Sequence, residues 1–442
     1  MEEPRYWDIR HVGGETTHID IDNTVVESAG TSFFDKAVLR VLAGKGWGIL
    51  TIDNYASCSK ADIEDCIGRA MKLARVTEEE VRLADAPSGI LPVPAHREDP
   101  RDVSLEEKRD LLASIEAAAR IPGISSTRGS YIEGINRVAF LDSSGQEYRY
   151  EISRCGFSVL AIARKGDLMQ MGRESEHTIS GLNLRHREAM GLEAAERAVA
   201  LLDARPATGG RMHAVLDPEL AGVFAHEAIG HASEGDLVKE GSSVIRGKIG
   251  EKIGNEILTI VDDPTLPEFG FEPVDAEGVA VRRTEIIRKG VLSAYLHNRQ
   301  TLAAVGDGVA GHARAVAGDS PIVRMSNTFI ENGDASLEEV LEGCGTGILL
   351  KGSRGGQVDP GRGIFQFNAE YGYRVENGEL GAMVRDVSLS GEILHTLHSI
   401  VLCAQDRQMH QGFCGKSGQS VPVSDGSPHI LLKDAVVGGS GA

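Results

Sequence analysis

The stretch FAHEAIGHASEGD, residues 224–236, decides how the rest of the chain is read. It carries His226, Glu227 beside it, and His231 five positions further on. Each residue advances a regular α-helix by about 100°, so a pair four apart returns to within about 40° and a pair five apart stands about 140° away. His226 and His231 can therefore share one ion only if the helix ends or widens between them. Gly230 stands directly before His231, where a left-handed or widened turn costs least. Upstream, Asp217 is a candidate cap and Pro218 suits the first helical position. Leu220, Phe224 and Ala228 then share one face, which predicts a helix of about ten residues carrying His226 and Glu227.

Two imidazoles on a distorted helix end, with a carboxylate next to the first, suit metal-assisted hydrolysis. Zinc bound there would lower the pKa of a water towards about 7 and polarise a substrate carbonyl. Glu227 is placed to take the proton from that water and pass it to a leaving nitrogen. Catalytic zinc takes three protein ligands. Nearby candidates for the third are Glu234 and Asp236; a distant one is Cys414, in the glycine-flanked segment GFCGKSGQSVPVSDG, which reads as a bent loop. The chemistry alone does not choose between Glu234 and Cys414. The histidines at 213, 297, 312, 395, 398, 410 and 429 read as ordinary structural or surface residues.

The rest of the 442-residue chain sets the frame. Its length favours two domains. A net charge of −19 argues against gripping phosphate backbones, so no nucleic-acid partner is expected. No apolar run suggests a membrane span, and MEEPRYWDIR has no signal-peptide pattern. Six dispersed cysteines without a CxxC pair fit reduced, mostly buried thiols and a cytoplasmic location.

The first fifty residues alternate like strands, and GWGILTID (46–53) is an apolar strand. Residues 59–76 have helical spacing. Ser104 with Glu107 forms a capping box opening a second helix. Residues 137–172 read as antiparallel strands with turns at Ser143–Gly145 and Lys165–Gly166, and 187–202 as an alanine-rich helix. ARPATGGR (204–211) is the best linker, so the boundary falls there: residues 1–205 and 206–442. The second half is mostly strands, with hairpins turning at Lys289–Gly290 and Asn377–Gly378. The glycine-rich GSRGGQ (352–357) lacks the lysine and strand–helix setting of a phosphate cradle and reads as a loop.

HEAIGH followed by SEGD resembles the HExxxH motif of the TldD/PmbA metallopeptidases, once called modulators of DNA gyrase. DAEGVAVRRTEIIRKGVLSAYLHNRQTLAAVG (275–306), GGQVDPGRGIFQFNAEYGYRVENGEL (355–380) and GFCGKSGQSVPVSDGSPHILLKDAVVGG (412–439) are similar to later parts of that family. DKAVLRVLAGKGWGILTID (35–53) matches more loosely. The resemblance implies an α+β fold, with an N-terminal α/β domain and a mostly β C-terminal domain carrying the zinc helix. It implies His226, His231 and Cys414 as zinc ligands and Glu227 as general base. It also implies a dimer, with a TldE/PmbA-like chain or a second copy, that cuts unfolded or extended peptides. Retention of the motif places the chain with the TldD-like catalytic branch. Glu234 and Asp236 then become helix-end groups or groups orienting a histidine. The rival reading is a non-catalytic scaffold or regulatory partner in which zinc only holds the fold.

Overall fold

The structure, a computed structural model, describes residues 3–439. Long alternating strands dominate the first half. β1 (Tyr6–Asp22), β2 (Val25–Ala43) and β3 (Gly46–Asp53) precede two helices, α1 (Lys60–Val76) and α2 (Leu105–Ala118). β4 (Ile124–Asp142), β5 (Glu147–Lys165) and β6 (Leu168–Thr178) follow, then α3 (Glu188–Asp203). All six strands form one antiparallel sheet in the order β3-β2-β1-β4-β5-β6.

The alternation of each strand assigns its two faces. One set, including Tyr131, Phe157 and Val159, packs under α2 and α3 with Leu112, Ile115 and Ala194. The second helix start is capped as its sequence predicts, Ser104 accepting from the Glu107 amide, and the first carries a full capping box of Ser59 with Asp62 that the sequence reading did not name. Glu107 does not complete its box, because its carboxylate pairs with Arg185 at 2.8 Å instead. The opposite strand face (Val12, Val138, Phe140, Tyr148) packs on Val274 from the second half.

The second half holds two larger sheets, one of six strands and one of ten. Its predicted hairpins form with Lys289 and Gly290 at φ 49° and 78°, and Asn377 and Gly378 at φ 56° and 81°. These left-handed pairs are the type I′ geometry that matches strand twist. The stretch 204–211 is not a free linker: Arg205–Pro206 pairs with Val384–Arg385 and Gly210 begins a strand of the ten-stranded sheet. The main core lies between the two sheets, and a short helix, α4 (Pro218–Phe224), runs through it. Phe224 is fully buried against Phe365, ring centroids 5.3 Å apart.

A buried ion triad ties the halves. The Arg40 guanidinium on β2 donates to Asp8 of β1 at 3.0 Å and to Glu277 at 2.9 Å. Removing the cation strands two buried carboxylates. Arg40→Leu should therefore cost about 3–5 kcal/mol, read as a lower thermal unfolding midpoint, with Arg40→Lys losing less.

Candidate metal centre

α4 begins as its sequence dictates. Asp217 Oδ1 accepts from the Leu220 amide at 2.9 Å, and Pro218 occupies the first turn. After Phe224 the helix changes register: Ala225–Gly230 is a π-turn, followed by one 3₁₀ turn, His231–Ser233. The His231 amide donates to the His226 carbonyl, five residues back. A ladder that closes every five residues stacks His231 over His226, which the regular spacing forbade. The widened turn is thus realised and the left-handed one is not, since Gly230 has φ −53° and ψ −59°. Gly230 serves packing instead: a Cβ there would stand 3.0 Å from the Met325 side chain. Gly222 is tighter, its Cβ position lying 2.7 Å from both Asp425 Oδ1 and the Gly426 amide nitrogen.

Cys414 does not sit in a bent loop as its flanking glycines suggested. It lies on a regular strand, Gln408–Lys416, paired antiparallel with Gln419–Ser427 through a two-residue turn at Ser417–Gly418. This strand is one edge of the six-stranded sheet. Cys414 is only 6% exposed. Its carbonyl accepts from the fully buried Arg324, which also donates to the Gln419 carbonyl at 3.4 Å. The hairpin that presents the thiol is therefore clamped from behind.

The fold brings His226, His231 and Cys414 together, with ligand atoms all within 4.8 Å of one another. His231 Nε2 is 3.4 Å from Cys414 Sγ. Two ligands at zinc–donor lengths of about 2.0–2.3 Å in a tetrahedron stand about 3.5 Å apart, so this pair already has the required separation. The donor chemistry, two imidazoles and a thiolate, is one that zinc accepts. His226 Nδ1 is buried without a hydrogen-bond partner among the described residues.

Glu234 and Asp236 lie outside the donor group. His231 Nδ1 pairs with Glu234 Oε2 at 2.9 Å, which turns Nε2 towards Cys414. Lys416 Nζ lies 3.1 Å from that same Glu234 oxygen and 2.7 Å from Asp236. Glu227 has a side chain 35% exposed, with its carboxylate 3.8 Å from His231 Nε2.

The charges interlock. Burial pushes the Cys414 thiol up, but His226 and His231 outweigh it and hold it at about 4. Burial lowers His231, yet Glu234 and Cys414 raise it well above its ordinary range. Burial also raises Glu234, and the facing His231 and Lys416 bring it back below the usual carboxylate value. The thiol and the two imidazoles therefore shift one another in opposite directions, the thiol down and the histidines up.

Three residues of this site are absent from the sequence reading: Lys416, Arg324 and Asp425. Lys416 is two positions from Cys414, so strand alternation could have flagged it, but a loop reading hides that period. Asp425 is half-buried, with its Oδ1 enclosed; desolvation raises its carboxyl to about 7, with His226 opposing and Glu227 and Cys414 adding to the rise. Nothing in the local sequence marks Arg324 or Asp425. None of the seven other histidines named above joins the donor group.

Sequence models of three consecutive domains match the chain. These are PmbA/TldA metallopeptidase domain 1 at residues 7–74, the central domain at 98–202 and the C-terminal domain at 209–439. The chain belongs to the PmbA/TldD metallopeptidase family. A metalloprotease of Methanothermobacter thermautotrophicus is 40% identical over 439 residues, covering 98% of this chain and 96% of the relative. A protein named zinc metalloprotease TldD homolog, from Saccharolobus solfataricus, is 32% identical, covering 91% of this chain and 89% of the relative. In fold, the chain is similar to a Thermotoga maritima protein described as a putative modulator of a DNA gyrase. The TM-score is 0.83 at 21% identity, over 98% of this chain and 96% of that one. It is also similar to TldE of Thermococcus kodakarensis, with a TM-score of 0.80 at 19% identity, over 98% and 96% of the two chains. Among the described residues no helix is long and apolar enough to cross a membrane.

The close approach of α4 to the strand Gln419–Ser427 makes a paired prediction. Gly222→Ala meets backbone that cannot yield and should destabilise by about 1–3 kcal/mol. Gly230→Ala meets the flexible end of Met325 and should cost less. Parallel thermal melts check the order.

Proposed function

We propose that this member of the family is a zinc-dependent peptidase acting on unfolded or extended peptides, with His226, His231 and Cys414 holding the ion. The observation that carries this reading is the convergence of three donors with a partly exposed carboxylate beside them. Among the described residues that donor group has three members, which suits a catalytic site with an open position better than a closed structural one. The bound ion supplies Lewis acidity, activating a water and polarising the scissile carbonyl. Glu227, on the open side, accepts the proton of the attacking water and delivers it to the leaving amine. Glu234 keeps the His231 tautomer, and Lys416 keeps Glu234 ionised and in place.

The edge strand supplies a means of binding. In a two-residue hairpin the pair flanking the turn, Lys416 and Gln419, is hydrogen-bonded, so alternate residues such as Phe413 and Gly415 turn their backbone groups outward. An extended peptide can add there through main-chain bonds, which disfavours folded substrates. The division at residues 205 and 206, a dimer with a TldE/PmbA-like chain or a second copy, and a reducing compartment for the six free cysteines belong to the same proposal. Sedimentation of the chain alone and with a TldE-like chain tests the dimer; a monomer in both samples refutes it.

Glu227→Gln should retain zinc and thermal stability while kcat on a denatured peptide falls by about 10²–10⁴. Unchanged cleavage would reject the assigned role, and zinc loss with Glu227→Gln would favour a structural ligand. Cys414→Ser should lower bound zinc per chain; if Glu234→Ala alone does so, the third ligand is wrong.

The pH dependence has a definite sign. The two histidines hold the thiol low, and the charges around both histidines raise them above 6.5 against the burial that lowers them. Zinc must displace protons from imidazole, so its apparent affinity should fall as pH falls below the raised histidine values. Calorimetry in two buffers of different ionisation enthalpy should show proton release on binding.

A further inference from the structure

A cavity of ≈ 340 Å³ lies between the helix-free face of the N-terminal sheet and the second half. Its wall reaches the catalytic hairpin: Phe413 precedes Cys414, and Val421 is the residue opposite Cys414 in the strand pair. The lining is mainly apolar, with Phe34, Val138 and Phe269 among its members. A few polar groups on an apolar wall are the usual composition of a ligand pocket.

Those polar groups are unevenly charged. Arg10, Arg154 and Arg314 line the cavity with two carboxylates, Glu133 and Glu272. Glu133 is taken by Lys108 at 2.7 Å. Arg154 and Arg314 both pair with Glu272, at 3.3 and 2.7 Å, and their remaining bonds go to carbonyls, Phe269 and Phe271 for the first and Met325 for the second. Three guanidinium groups thus stand with a single carboxylate, Glu272, which Arg154 and Arg314 already share, in a chain of net charge −19. Arg10 is the one left over. It meets the Tyr150 phenol and forms no ion pair among the described residues, and its buried Nε has no partner. A guanidinium held in a mostly apolar wall without a counter-charge is poorly placed for stability and well placed to receive an anion.

We propose that this cavity is a recognition subsite for a carboxylate of the peptide substrate, and that Arg10 binds it. The inference rests on the peptidase reading and deepens it. Side chains of a strand alternate between faces. A peptide added to the edge strand therefore directs every second side chain to the side of Phe413, which is part of the cavity wall. A carboxylate arriving there has two sources, an Asp or Glu side chain or the free C-terminus, and both present the planar pair of oxygens that a guanidinium binds in a fork. Arg10 is a specificity residue in this scheme and takes no part in bond cleavage.

The test uses the zinc-loaded full chain, with its partner if it requires one, and a fluorescent peptide in four versions. These carry a free or amidated C-terminus and Glu or Gln at the positions flanking the scissile bond. The wild type should cleave one carboxylate class with kcat/KM about tenfold above its neutral counterpart, and the class that is favoured identifies the source. In Arg10→Gln that ratio should fall to about one, and Arg10→Lys should restore part of it. Equal kcat/KM for all four peptides in the wild type, or a preference that survives Arg10→Gln, overturns the proposal. If Arg10→Gln does not fold, the wild-type series alone decides. Absence of cleavage of every peptide rejects the peptidase reading separately. Anisotropy of the same peptides on Glu227→Gln then decides the subsite: tighter binding of a carboxylate version supports it and equal binding refutes it.

Discussion

One hydrogen bond organises this molecule's chemistry: the His231 amide reaching back five residues to the His226 carbonyl. A helix that closed every four residues would turn the second imidazole away from the first. The π-turn is a local departure from the favoured backbone, and such turns are rare and concentrate at functional sites. It persists because the segment is enclosed. Ala225, Ala228 and Ile229 are fully buried in the largest core, and the 3₁₀ turn that follows is held by Ser233 donating to the Gly230 carbonyl. Packing between two sheets fixes a register that the isolated segment would have no reason to keep.

The third donor comes from 183 residues further along, on a strand whose position depends on both neighbours. The strand Gln419–Ser427 aligns it on one side, and Arg324 clamps its carbonyl from behind. Lys416 then links the strand to Glu234 and, through it, to His231. The helix end and the hairpin are therefore joined by a continuous polar chain even before any ion is considered. Buried charges of this kind are costly unless paired, and here each has a facing partner: thiolate with imidazole, imidazole with carboxylate, carboxylate with ammonium.

The sequence was informative where local physics decides. Capping residues marked the starts of α2 and α4, and Lys289–Gly290 and Asn377–Gly378 marked two left-handed turns. The odd histidine spacing announced a distortion. It was misleading where glycine has more than one use. Gly412 and Gly415 suggested a bent loop around Cys414 but lie in a regular strand. Gly230 suggested a left-handed or a widened turn, of which the widened one forms, and its missing side chain lets Met325 approach. ARPATGGR read as a linker, yet its first residues pair with the ten-stranded sheet.

By itself, then, the sequence determined the existence of a distorted metal-type helix, its acidic base candidate and the strand-rich second half. These follow from short-range rules of capping, periodicity and turn chemistry. Local chemistry left Glu234 and Cys414 open beside the histidines, and the family resemblance pointed to Cys414; the tertiary structure supplies the physical distances. Glu234 is close in sequence but is turned to the outer nitrogen of His231, while Cys414 is distant and lies 3.4 Å from the inner one. The reason is physical: a ligand set is a matter of distance in space, and only the packing of the helix between two sheets, with a clamped hairpin at the edge of one, fixes that distance.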